Sequence, residues 1–113
     1  MKPKLARAAS PNGDDIREQF YCPGCKCGHA YRVAPSDASK GPVWEWNGNR
    51  EAPTFTPSLL MTSPRGANEY RCHLFIASGM IQFCGDCSHD LKGQTVPMVE
   101  WPENYYVTHN GVE

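Results

Sequence analysis

Two C-x-x-C knuckles constrain this chain more than any other feature: Cys22-Pro23-Gly24-Cys25 near the start and Cys84-Gly85-Asp86-Cys87 near the end. Each puts two thiols on one tight turn, and together they supply the four soft ligands of a tetrahedral metal site. Zinc suits such a set because thiolate sulfur at ~2.3 Å satisfies it without redox chemistry. Closing the site would tie the two ends of the body together. In short zinc modules, metal binding of this kind contributes ~10–16 kcal/mol of folding free energy.

The alternative use of six cysteines is a disulfide framework. The N-terminal run Met-Lys-Pro-Lys-Leu-Ala-Arg-Ala-Ala-Ser carries positive charge but no apolar h-region, so it does not read as a secretory signal. A cytoplasmic location follows as the expectation, and a reducing compartment favours metal ligation over disulfides. No run approaches the ~18 apolar residues of a membrane span, and no membrane contact is expected. At 113 residues the chain is one domain with a modest core. Residues 1–32 hold six Lys/Arg against three Asp/Glu, whereas residues 33–113 hold five against nine. The first 14 residues cannot bury much apolar surface and read as a flexible basic arm, with a single zinc-stabilised β domain over 15–113.

Ten Gly and ten Pro punctuate the body, and no segment sustains a helical apolar period over three turns. The expected class is all-β: a small zinc-ribbon-like domain around a central hairpin. Arg71–Ala77 and Met80–Cys84 flank Ser78-Gly79, a two-residue loop of the kind that tight hairpins use. The resulting register pairs Ala77 with Met80, Ile76 with Ile81, Phe75 with Gln82, Leu74 with Phe83 and His73 with Cys84. Alternation then puts Leu74, Ile76, Ile81, Phe83 and Cys72 on the core face, and His73 on the opposite face. Pro53 and Pro57 bracket Thr54-Phe55-Thr56, so that strand is expected to begin on a sheet edge.

Nine Cys and His residues are candidates for ligation, more than one ion needs. The first-ranked set is Cys22, Cys25, Cys84 and Cys87. A mixed site, in which His73, His89 or Cys72 replaces Cys84, ranks second, with His29 extending the first knuckle. One zinc is expected and two are arithmetically possible. Iron ranks below zinc, because the rubredoxin-like Cys-Pro-x-Cys lacks the glycine that usually follows such knuckles; Lys26 and Ser88 stand there. No H-E-x-x-H is present, nor the paired motifs of nucleobase deaminases. Asp86 and Asp90 are the acids close to the second knuckle.

Three stretches together resemble a small Cys/His-rich family encoded by tailed phages and prophages and classed as of unknown function. They are Trp46-Asn47-Gly48 with Pro53-Thr54-Phe55-Thr56-Pro57-Ser58-Leu59-Leu60, Arg71–Ile76 with Gly79–Phe83, and Asp86–Val96. Some members carry an ammonia monooxygenase label, but nothing in this chain suggests a copper oxygenase. The resemblance implies a phage origin and points to Cys22, Cys25, His29, Cys72, His73, Cys87 and His89. The position of Cys84 is often aliphatic in that family, which raises the mixed site. The functional expectation is a non-enzymatic module that binds a host or virion protein. The alternative is a zinc-dependent hydrolase with a His-containing open site served by Asp86 or Asp90. A nucleic-acid role through the basic arm ranks last, since basic residues are sparse over 40–101.

Overall fold

The computed structural model describes residues 4–9, 15–34, 41–65 and 68–102. Among them there is no helix, and so none long and apolar enough to cross a membrane. Eight strands form two antiparallel sheets. Strands β1 (Ala6–Ala9), β2 (Ile16–Cys22) and β3 (Cys27–Ala34) make a three-stranded sheet in that order. Strands β4 (Glu45–Trp46), β5 (Phe55–Arg65), β6 (Asn68–Ala77), β7 (Met80–Phe83) and β8 (Thr95–Pro97) make a five-stranded meander. The all-β expectation holds.

The inner faces of both sheets share one core. Leu5, Phe20 and Tyr31 from the first sheet pack with Phe55, Leu59, Leu74, Ile76, Ile81 and Phe83 from the second. Tyr31 stacks flat on Phe55, with ring centroids 4.1 Å apart, and Trp44 and Trp46 pack against this cluster. Burial of these aromatics is the main adhesive between the sheets. Glu18 is fully buried beside them, neutralised by Arg7 at 2.7 Å and Arg50 at 3.0 Å. Two cations around one buried carboxylate offset the cost of removing it from water.

The central hairpin has the register that the sequence dictates, from Leu74 opposite Phe83 to Ala77 opposite Met80. Ser78 and Gly79 both take positive φ, 51° and 79°, as a turn matching the right-handed strand twist requires. One correction falls at the N-terminus. The expected arm includes β1, which pairs with β2, and Leu5 reaches the core at 1% exposure. The alternation Leu5-Ala6-Arg7-Ala8 suffices for a short edge strand once Glu18 is there to hold Arg7. Residues 1–3 and 10–14 of that arm lie outside the described residues.

Candidate active site and metal centre

Strand β5 is interrupted where it matters. Phe55 pairs with Ile76 and Leu59 with Leu74, so three residues of β5 span a gap that one residue of β6 spans. The bulge falls on Thr56, Pro57 and Ser58, and the Thr56–Pro57 peptide is cis. A bulge re-aims a side chain out of the regular pleat. Here it turns Ser58 toward β6, and the Ser58 carbonyl accepts a hydrogen bond from the Trp44 indole Nε1 at 3.1 Å.

On β6, His73 faces outward at 28% exposure and its ring spans two partners. Nε2 lies 3.1 Å from Ser58 Oγ, and Nδ1 lies 3.3 Å from both carboxylate oxygens of Asp86. An ionised carboxylate only accepts, so the tautomer serving both contacts carries its proton on Nδ1. Nε2 is then free to accept the Ser58 hydroxyl proton. Asp86 is held in turn by Arg71 Nη1 at 3.3 Å, and Arg71 also bonds Glu69 at 2.8 Å. Desolvation pushes the Asp86 carboxyl upward, but hydrogen bonds from His73, its own backbone and Arg71 outweigh it and lower its pKa. Asp86 therefore stays ionised in neutral solution. Serine, imidazole and carboxylate in this order of contact form the nucleophile, base and orienting acid of acyl-transfer chemistry, a constellation recognised by geometry rather than by sequence order.

The sulfur-rich cluster sits behind this face. Ligand atoms of Cys22, Cys25, Cys72 and His89 all lie within 4.8 Å of one another, a group able to hold a metal ion. The β2–β3 turn delivers Cys22 and Cys25, with Lys26 at φ 60° where the chain reverses. Cys72 comes from the inner face of β6, fully buried, 3.9 Å from Cys22 Sγ and 3.4 Å from His89 Nε2. Gly24 is required by contact: a Cβ there would overlap the His89 imidazole. The Tyr70 hydroxyl donates to Cys25 Sγ at 3.1 Å. Hydrogen bonding from Cys22, then Cys72, drives the Cys25 thiol strongly toward thiolate, while its bond with Cys25 pushes Cys22 up to about 12. One thiolate in a nest of thiols is an arrangement that a cation completes.

The remaining candidates divide between these two places. Cys84 and Cys87 do not join Cys22 and Cys25 among the described residues. The Cys87 thiol instead straddles the His73 peptide, accepting from its N–H at 3.3 Å and donating to its carbonyl at 3.2 Å. Cys84 approaches His73 and Asp86 on the outer face. Burial, then the Asp86 charge, raise its pKa. The hairpin register accounts for this: His73 opposite Cys84 fixes Cys84 on the outer face, while Cys72 turns inward. His29, 7% exposed, lies with Cys25 and Cys27 in a second ligand group that shares Cys25 with the first. Leu60, paired with His73 across β5 and β6, and Phe75, whose ring lies 6.2 Å from that of His73, are 50% and 42% exposed and leave apolar surface beside the Ser58–His73 pair.

Ser58 is the residue that sequence reasoning missed. Its signal was the paired prolines of Pro53-Thr-Phe-Thr-Pro57, which mark a strand unable to keep regular pairing. Asp86 was noted as an acid near the knuckle, but not as the partner of His73.

Residues 8–84 match a family model described as "Bacterial ubiquitination-like system serine protease (BubE)", which covers more than half of the chain, includes Ser58 and His73, and stops two residues short of Asp86. No curated protein and no solved structure matches. The match overturns the expectation of a non-enzymatic binding module, and it agrees with the zinc-hydrolase alternative only in that a bond is hydrolysed. The phage-encoded family suggested by the motifs is not the one that matches. By the extent of this match, the chain belongs to the BubE family, the serine proteases of bacterial ubiquitination-like systems.

Proposed function

We propose that this protein is a serine protease with Ser58 as nucleophile, His73 as general base and Asp86 as orienting acid. The observation that carries the reading is the His73 ring, bridged between Ser58 Oγ at 3.1 Å and Asp86 at 3.3 Å. His73 Nε2 takes the hydroxyl proton as Oγ bonds to the scissile carbonyl carbon, and the imidazolium formed is stabilised by Asp86. His73 then returns the proton to the departing amine, leaving an ester on Ser58. Water, activated by the same nitrogen, hydrolyses that ester and frees the acid product. The family description supports a polypeptide of a ubiquitination-like system as the substrate, and such a polypeptide is the protein partner in this proposal.

The same proposal places one zinc ion at Cys22, Cys25, Cys72 and His89. A closed set of three sulfurs and one nitrogen is a structural zinc site rather than a catalytic one. The His89 Nδ1 accepts from the Leu91 amide at 3.2 Å. Ligation through Nε2 needs the proton on Nδ1, so that contact loosens when the ion binds. All six cysteines are unbridged, which suits a reducing cytoplasm.

The test is turnover of a polypeptide or peptide-ester substrate by zinc-loaded protein and its variants. Ser58→Ala and His73→Ala are each expected to lower kcat by about 10⁴-fold or more. Hydrolysis that survives Ser58→Ala would refute the assignment.

A further inference from the structure

We infer that the ion held by Cys22, Cys25, Cys72 and His89 positions the catalytic residues, so that the protein is a metal-dependent serine protease whose metal never meets the substrate. The inference rests on the triad reading above and adds what sets its geometry.

Cys72 and His73 are consecutive on β6 and point to opposite faces. Cys72 is fully buried among the ligands, while His73 stands outside against Ser58. Any displacement of Cys72 is passed through a single peptide unit to the base. The acid is tied in a similar way. Asp86 lies between β7 and β8 in a segment with no strand or helix of its own. That segment is stitched back across β6: Ser88 N donates to the Arg71 carbonyl at 2.7 Å, Arg71 N donates to Ser88 Oγ at 2.9 Å, and Cys84 N donates to the His73 carbonyl at 2.9 Å. Three residues past Asp86, the segment carries His89, which is 9% exposed and lies with the ligand group.

Base and acid thus each sit within three residues of a ligand, whereas Cys22 and Cys25 come from the other sheet. An ion in this position clamps the two catalytic segments of the second sheet onto the turn of the first. The contacts it protects have little slack, because Ser58–His73 and His73–Asp86 separations of 3.1 and 3.3 Å leave no room for lengthening before the hydrogen bonds fail.

The test compares Cys25→Ser with His89→Ala in the full chain at saturating zinc. Each keeps three ligands, but only His89 lies on a catalytic segment. Three readouts are taken together: zinc per chain by native mass spectrometry, amide exchange over β2 and β3, and the rate at which a fluorophosphonate labels Ser58. Labelling is expected to fall at least about 100-fold in His89→Ala and less than about 10-fold in Cys25→Ser, as a misplacement near 1 Å implies. Stripping zinc from the wild type should lower labelling as much as His89→Ala does, with β2 and β3 still protected. Adding zinc or cobalt should restore it to within about threefold, since a non-catalytic ion tolerates replacement. Equal losses in the two variants would overturn the inference. So would wild-type labelling of metal-free protein, or loss of protection across both sheets when zinc leaves, because the ion would then hold the fold and not the triad. Absence of Ser58 labelling in zinc-loaded wild type would refute the triad itself.

Discussion

Replacing Asp86 with Asn isolates the weakest link of the proposed site. The carboxylate can only accept, and that forces the His73 proton onto Nδ1. An asparagine amide placed at 3.3 Å from Nδ1 can donate instead, which moves the ring proton to Nε2 and blocks it from accepting the Ser58 proton. In a buried triad the same change lowers kcat by about 10⁴. Asp86 is 40% exposed and shared with Arg71, so water and the guanidinium compete for the new amide. The asparagine oxygen can also turn toward Nδ1 for part of the time. The expected loss in kcat is therefore smaller, about 10²–10³-fold, with KM little changed because the group does not touch substrate. The assay is steady-state hydrolysis of a peptide ester, with zinc content and thermal midpoint measured alongside to show that the fold persists. A loss of less than about threefold would refute the role given to Asp86 and leave Ser58 and His73 as a dyad.

Three further outcomes follow from the same geometry. Gly24→Ala should weaken zinc binding by about 10–100-fold, because its Cβ displaces His89; competition with a chromogenic chelator reads this directly. Cys84→Ser should retain one zinc per chain and near-wild-type turnover, whereas Cys22→Ser, left with three ligands, should hold zinc more weakly than wild type, as native mass spectrometry at limiting zinc reads. The Asp86 carboxyl is lowered below its ordinary 3.8 in the fold, so its contribution to stability is present above that pH and is lost as pH falls through the folded value. The gap in thermal midpoint between wild type and Asp86→Asn should accordingly be wider above pH 3.8 than below it and narrow as the carboxylate is protonated.

The central hairpin was legible in full because alternation and a Ser-Gly loop fix its register with no tertiary information. That register also carried the separation of Cys72 from His73, one inward and one outward, on which both sites depend. Spacing misled at the second knuckle. Cys84 and Cys87 have the separation of ligands, but Cys84 is held on the outer face by its pairing with β6, and Cys87 is occupied by the His73 peptide. The group of Cys22, Cys25, Cys72 and His89 was not among the expected sets, whose mixed version exchanged Cys84 alone and kept Cys87, since ligands far along the chain are selected by packing rather than by pattern. Ser58 was the least legible. Its aim comes from a bulge in β5, and nothing in the local residues distinguishes a serine turned toward a histidine from one turned to solvent. The N-terminal strand was missed for a comparable reason: Arg7 looks like a solvated charge until Glu18 is seen buried across from it.

The most direct test of the whole account is the site of covalent modification by a fluorophosphonate. Zinc-loaded protein is treated with the probe, digested and mapped by tandem mass spectrometry, with His73→Ala run in parallel. The account predicts one adduct, on Ser58, that forms in the wild type and is lost in the variant. An adduct on another serine, or efficient proteolysis with Ser58 left unmodified, would contradict it.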